Sequence, residues 1–380
     1  MAHSYEDVVE MCVAGAQPIA RKILASESDR FPQLNTRTGN YLMEPGYLPG
    51  RGFRWAGFLN ARMWLLHDLT GDALLRDAAL ELSRRIGRAV RGTQADRGNI
   101  GFDIYHGICV GHEVSGDPEL RELGLAGAQA MEGLYCEPAK LYWQSVWFNA
   151  TVSETPACLL PILWARCHGV DAGDRIPRHV HQTLDAGMLR EDGSVQHRFL
   201  FDPVDGGITG ADTSQGYART STWGRAQVWM MHSLASVLES AEDARIRDAL
   251  GKAARWYVAK MPEDAILYYD YDDPRRGEIP RDSCGTLLGT VALRRCAALG
   301  IEVAGGLALA SRSEAELLRN YVAPGGVVLH GSWGVGEGKS RWNTLFPQQD
   351  VMPYGNYWLV EMLHRQMKPA SAVLSFTPRG

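Results

Sequence analysis

The sequence predicts an all-α chain folded as an (α/α)6 barrel, about twelve helices in six hairpins, with a short β-hairpin near the mouth. Three observations predict it. Helices with one apolar stripe and a charged back alternate with helices that are apolar or small nearly all round. A Gly-Asp pair or an Asp recurs at the start of the striped helices, where its carboxylate suits the first free N–H groups. Strand periodicity, by contrast, is sparse.

Taken in order, an outer helix is expected near Val9 to Ile23, and a buried inner one over Phe58 to Leu69. After Gly71-Asp72 the residues Leu75, Ala79, Leu82 and Ile86 form one stripe, backed by Arg76, Asp77, Arg84 and Arg85, so this helix belongs outside. Ile100 to Val110 reads as inner. Gly116-Asp117 opens an outer helix on Leu120, Leu123, Gly127, Ala130 and Leu134, and Thr155 to Ala165 is again inner. Gly173-Asp174 followed by Ile176, Val180 and Leu184 repeats the outer theme more weakly. Val195 to Phe201 alternates in the manner of a strand before Asp202-Pro203 and predicts the hairpin over the mouth. The remaining inner helices are Gln227 to Leu238, Gly285 to Leu299 and Tyr357 to Leu363. Their outer partners begin at Asp243 (Ile246, Leu250, Ala253, Tyr257) and near Glu314 to Tyr321. Neither a linker nor a low-complexity segment interrupts the pattern, so residues 1–380 are expected to form one domain.

A net charge of −5 with 22% charged residues gives no basic face, which argues against nucleic acid as a partner. The seven cysteines are odd in number, scattered and without a CxxC pair, as expected of free thiols in a reducing compartment. No run of apolar residues approaches the ~18 needed to span a membrane, and the stretch MAHSYEDVVE has no secretory pattern. The expected location is cytoplasmic, with no membrane partner. Oligomeric state is not legible.

Six segments place polar, aromatic or charged residues at the start of inner helices: Trp55-Ala56-Gly57, Asn99-Ile100-Gly101-Phe102, Ser153-Glu154, Thr222-Trp223-Gly224-Arg225, Arg281-Asp282-Ser283 and Gly355-Asn356. Gathered round one axis, they make a deep pocket of rings and hydrogen-bonding groups. Such a pocket suits a sugar, whose faces stack on rings and whose edges need polar partners.

Several of these segments carry a resemblance. GFLNARMWLLHDLTGD (Gly57 to Asp72), Arg30-Phe31-Pro32, QGYARTSTWGRAQVW (Gln215 to Trp229), PEDAILYYDYDDP (Pro262 to Pro274) and Arg281-Asp282-Ser283 resemble, in order and over nearly the whole chain, the unsaturated glucuronyl hydrolases of glycoside hydrolase family 88. The unsaturated rhamnogalacturonyl hydrolases of family 105 are a more distant fit. The resemblance implies an (α/α)6 barrel that hydrates the C4=C5 enol ether of an unsaturated uronic acid, with an unsaturated oligosaccharide as small-molecule partner and no cofactor. This chemistry needs a carboxyl group to protonate C4, kept protonated near neutral pH, and a second group to orient that acid or the water.

The resemblance also marks a departure. One of the two aspartates it implies falls on Asn99, which cannot ionise. The other falls on Glu154, or on Asn149 if a gap is allowed. Three readings stand: Glu154 donates the proton while Asn99 holds it or the water; the pocket serves a different hydration, isomerisation or elimination on an enol ether or carbohydrate-like metabolite; or the scaffold binds sugar without turnover. With no second carboxylate beside it, Glu154 has burial alone to raise its pKa. The resemblance further implies His197, Gln215, Trp223, Arg225 and Trp229 as sugar-site residues, Arg225 meeting a substrate carboxylate bidentately. Trp55 at the first helix start and Arg219, where the family often has an acid, join them as substrate-binding candidates; Tyr269 replaces a family Trp. Against these stand plainer readings: core packing for Trp223 and Trp229, a backbone-bonded hairpin histidine for His197, an exposed arginine for Arg219. Arg281 and Asp282 read as a buried ion pair fixing the fifth inner helix rather than as reactants. Ser332 to Lys339 lacks the order and context of a phosphate loop. His179-x-His181 lacks a third ligand, so no metal is expected.

Overall fold

The structure is a computed structural model that describes residues 3–34, 40–45, 53–91, 95–171, 173–278, 281–331 and 351–377. It is an (α/α)6 barrel. The outer ring consists of α1 (Tyr5–Ala25), α3 (Ala73–Val90), α6 (Pro118–Glu132), α9 (Arg175–Asp185), α11 (Ala244–Lys260) and α13 (Gly306–Asn320). The inner ring consists of α2 (Phe53–Thr70), α4 (Ile100–Ile104) running through a π-helical turn into α5 (Val110–Ser115), the pair α7 (Thr155–Cys158) and α8 (Leu160–Cys167), then α10 (Gly224–Ser240), α12 (Ser283–Ala298) and α14 (Pro353–Met367). Neighbouring inner helices pack on one another round the ring, and α14 closes it against α2.

Sequence chemistry explains the helix boundaries. Asp72, Asp117 and Asp243 each accept a first-turn N–H as N-caps of α3, α6 and α11. Asp174 departs from the pattern: its carboxylate pairs with Arg178 at 2.8 Å instead of capping α9. The two tight inner-to-outer turns are near copies. In one, His67 Nδ1 meets Asp72 O at 3.0 Å and Thr70 Oγ1 donates to Leu66 O at 2.7 Å. In the other, His112 Nδ1 meets Asp117 O at 2.9 Å and Ser115 Oγ donates to Gly111 O at 2.6 Å.

Two inner helices are less regular than expected. The stretch from Ile100 is widened by π-helical Tyr105–Cys109. The one from Thr155 breaks at Leu159, because Pro161 lacks the N–H that would bond Ala157 O.

Outer-to-inner connections are longer and gather at one end, the mouth. They carry the strands. The predicted alternation over 195–201 shortens to β6 (Arg198–Phe201), which pairs with β7 (Ile208–Asp212) on one side and, unexpectedly, with β5 (Ala150–Val152) on the other. Three further hairpins were not legible: β1 (Arg30–Leu34) with β2 (Tyr41–Pro45), β3 (Tyr135–Cys136) with β4 (Leu141–Tyr142), and β8 (Val322–Ala323) with β9 (Val327–Val328). The two-residue strands are too short to show a period. Among the described residues no helix is long and apolar enough to cross a membrane.

Candidate active site

The inner-helix starts meet at the mouth in a cavity lined by Phe58, Asn99, Phe102, Glu154, Gln215, Trp223, Arg225, Trp229 and Tyr354. It is not the largest concavity. A surface groove walled by Glu122, Leu125, Gln129, Ile162 and Arg175 is wider, because rings crowd the barrel axis while the outer helices splay. The axial cavity brings rings and convergent polar groups together.

Asn99 occupies the position before α4 without capping it, and its Oδ1 accepts from Gln144 Nε2 at 2.6 Å. Glu154 stands likewise before α7. Its Oε2 accepts from Ser153 Oγ at 3.1 Å and lies 3.4 Å from His197 Nε2. His197 is fully buried, and its Nδ1 takes hydrogen-bond contacts from Thr213 Oγ1 at 3.0 Å and from Ser214 N at 3.3 Å. A backbone N–H can only donate, so Nδ1 is the acceptor and the ring proton sits on Nε2, facing Glu154.

These neighbours set the charge of Glu154. Burial pushes the carboxyl up, but the His197 imidazole, with the hydrogen bonds from Ser153 and the backbone, outweighs burial and holds it below the ordinary glutamate range. The expectation that burial alone governs this acid is therefore corrected: the imidazole beside it reverses the sign.

Trp223 is 1% exposed yet forms cavity wall, so its core and pocket readings both hold. Its ring lies 4.7 Å from that of His197, with the Arg225 guanidinium 4.9 Å above it. Trp229 also lines the cavity and tilts against Phe102 at 5.4 Å. Gln215 accepts from Arg225 Nη2 through Oε1 at 3.4 Å and from Tyr269 Oη through its carbonyl at 3.0 Å.

Arg225 does not offer a free fork. Its Nη1 is tied to Asp282 at 2.8 Å, both side chains being buried, which corrects the expected bidentate grip on a substrate carboxylate. Burial pulls this guanidinium down, and the Asp282 charge more than offsets it, so the group stays a cation. Asp282 also caps α12 through Gly285 N at 3.1 Å. The ion pair expected between Arg281 and Asp282 is absent, since adjacent residues at a helix start point apart; Arg281 instead meets Asp264 at 3.0 Å.

Two other candidates fall away from the cavity. Arg219 is exposed and donates to Ala211 O at 3.4 Å, beside the Asp212 carboxylate rather than in the cavity lining. Asn149 sits in a left-handed turn (φ 47°) with its carbonyl bonded to Phe201 N, so of the two aligned possibilities Glu154 alone lines the cavity. The Trp55 side chain and the stretch Ser332 to Lys339 lie outside the described residues. His179 and His181 diverge, the first accepting from Tyr142 N and the second meeting Asp243. Among the described residues one trio, His112, Glu113 and His168, could bring metal-ligand atoms within 4.8 Å of one another, at the end of the barrel away from the mouth. Sequence reasoning missed Phe58 and Tyr354 as walls; Phe102 stood in the segment Asn99-Ile100-Gly101-Phe102 without being singled out as a site residue.

A ring of inner-helix starts around rings, amides and one imidazole-backed carboxylate defines the class: a carbohydrate-active (α/α)6 barrel. Known proteins narrow it. The unsaturated glucuronyl hydrolase of Bacillus sp. (strain GL1) is 27% identical over 297 residues, covering 75% of this chain and 76% of the relative. That of Formosa agariphila is 25% identical over 331 residues, covering 82% and 79%. The crystal structure of the Bacillus sp. GL1 enzyme, described as responsible for glycosaminoglycan degradation, superposes with a TM-score of 0.81 at 22% identity over 98% of this chain and 100% of that one. A heparin-specific unsaturated glucuronyl hydrolase gives 0.82 at 18% identity, over 96% and 98%. No protein-family model matches the chain. By sequence and fold together the chain is a homologue of the unsaturated glucuronyl hydrolases.

Proposed function

We propose that this chain is a glycoside hydrolase that hydrates the C4=C5 bond of an unsaturated uronic acid at the end of an oligosaccharide, with Glu154 as proton donor. The observation that carries the reading is Glu154 beside His197 in the same aromatic-walled cavity as Asn99. Relatives support the substrate class: a variant of the Streptococcus agalactiae enzyme, 18% identical with a TM-score of 0.73 over 97% of this chain and 93% of that one, was crystallised with dGlcA-GalNAc6S.

In the reaction, the ring oxygen pushes electrons into the double bond, C4 takes the proton from Glu154, and the C5 oxocarbenium takes up water. The resulting hemiketal opens to a ketone, and the hemiacetal left at C1 expels the remaining sugar. Glu154 must hold a proton at that moment. The uronate supplies the missing push, because its carboxylate places a second negative charge in the cavity and raises the pKa of Glu154. The His197 Nε2–H faces the Glu154 carboxylate left behind and steadies it until the proton lost by the attacking water returns to Glu154, and the Asn99 amide orients water or the acid. The rings of Trp223, Trp229, Phe58 and Phe102 exclude bulk water and face the sugar. We take residues 1–380 as one domain, supported by the packing of α1 on α14, and infer a cytoplasmic location, which the seven free cysteines favour.

The test follows the ultraviolet absorbance of lyase-derived disaccharides, which hydration abolishes. Wild type should turn over slowly, Asn99→Asp should gain rate, and Glu154→Gln should lose on the order of a hundredfold or more. A Glu154→Gln protein as fast as wild type would end the assignment of the acid. Asn99 favours one other reading, a pocket turned to a different enol ether; disaccharide that neither binds nor reacts would point there. Binding without turnover in either protein would point to a non-catalytic sugar receptor.

A further inference from the structure

We propose that Gln144, which lies outside the cavity wall, is the positioning residue that fixes which edge of the Asn99 amide meets the substrate. The inference rests on the site reading above. Gln144 follows β4 and is pinned through its backbone: its N–H donates to Ala150 O at 2.8 Å and its carbonyl accepts from Gly98 N at 3.0 Å. Its side chain bridges the two key positions. Nε2 donates to Asn99 Oδ1 at 2.6 Å, and Oε1 accepts from Thr155 Oγ1, the residue after Glu154, at 3.5 Å.

The direction of this chain is set at its far end. Val152 N donates to Thr155 Oγ1 at 3.0 Å, and Thr151 Oγ1 does so at the same distance. A backbone N–H has no other role, so the Thr155 hydroxyl, having accepted, passes its own proton to Gln144 Oε1. Gln144 must then present its NH2 to Asn99. With Oδ1 of Asn99 engaged, the NH2 of Asn99 is the edge left for the cavity. The site therefore offers a donor where an ionised carboxylate would offer only acceptors. Gly98 makes room for the bridge, since a Cβ there would stand 2.5 Å from Gln144 Oε1.

Gln144→Glu tests the direction. Once ionised, the new carboxylate only accepts, so Asn99 must turn its NH2 away from the cavity; when protonated, it can donate and restore the native arrangement. With lyase-derived disaccharide, kcat/KM of Gln144→Glu should lie roughly tenfold below that of wild type at about pH 8, one hydrogen bond's worth, and recover to within about threefold near about pH 4.5, where the new carboxyl begins to hold its proton. Glu154 is common to both proteins, so the ratio isolates the new carboxyl group. Gln144→Ala and Gly98→Ala should lower the rate by a similar factor at every pH. A Gln144→Glu ratio that is flat with pH would overturn the proposal.

A second readout needs no turnover. In the Asn99→Asp background Gln144 donates to the new carboxylate and holds its pKa down. Adding Gln144→Glu sets two carboxylates in contact and raises one pKa instead, so stability is lost as pH climbs through the carboxyl range. The melting temperature of the double variant should drop by several degrees relative to Asn99→Asp between about pH 4 and about pH 7. A constant difference would sink the inference even if the enzyme is inactive on uronides.

Discussion

At the scale of single residues, the buried Arg225–Asp282 pair does structural work that the sequence assigned elsewhere. Asp282 is tied both to Arg225 and to the first turn of α12, and burial pushes its carboxyl up against the pull of that cation. Asp282→Asn removes the counter-charge and strands a buried guanidinium. We expect a loss of about 3–5 kcal/mol in urea unfolding, with the cavity wall at Arg225 and Gln215 loosened as a result. Arg281→Ala is the control: its partner Asp264 is exposed, so the change should stay within about 1 kcal/mol. The residue types at Asn99, Glu154, His197 and Trp223 were legible as site material because polar and aromatic residues at the head of an apolar helix have no packing reason to be there. The partner of Arg225 was not, since the ion pair joins positions 57 residues apart and no local period encodes it.

At the scale of elements, the site depends on how closely α4 and α7 approach. A Cβ on Gly101 would lie 1.7 Å from the carbonyl oxygen of Cys158, a backbone atom at the end of α7. Nothing flexible can yield there, so Gly101→Ala must part the helices that carry Asn99 and Glu154. The expected cost is about 3 kcal/mol or more, read as a fall in melting temperature together with lost disaccharide binding. Gly116→Ala provides the contrast. That glycine has φ 69° and nothing within 4 Å of the added carbon, so only the left-handed backbone resists, at about 1–2 kcal/mol, with binding intact. The trio His112, Glu113 and His168 belongs to the same scale. His112 makes the turn contact that His67 makes, and Glu113 bonds the Trp164 indole at 2.7 Å and meets His168 at 2.8 Å, much as Asp68 meets His364 at 2.7 Å. Both acids tie one inner helix to its neighbour at the closed end of the barrel.

For the whole molecule, the buried faces of inner and outer helices store neutral histidines. Burial lowers His106 to about 4 and His179 to about 3, and burial aided by the Arg295 charge holds His232 well below the usual imidazole range. Each folded-state pKa is depressed, so between that value and the unfolded value near ~6.5 the unfolded chain binds more protons. Stability is complete above about pH 6.5 and is lost as pH falls below it, well before most carboxylates titrate. Melting temperature should therefore decline between about pH 6.5 and about pH 4, and His179→Asn, which keeps an acceptor for Tyr142 N, should flatten that decline. A melting temperature level down to about pH 5 would contradict it.

What the sequence determined by itself is the barrel and the ring of helix starts. Solvent sorts an apolar stripe from an apolar cylinder, and an Asp before a stripe caps it, so outer and inner helices announce themselves within one window of residues. Only the tertiary structure decided the electrostatics of the site. Whether Glu154 is pushed up or held down depends on His197 arriving from β6, and which edge Asn99 shows depends on Gln144 arriving from β4. Charges and hydrogen bonds act across a few ångströms of space irrespective of separation along the chain. The hydrophobic period, which acts along the chain, carries no information about them.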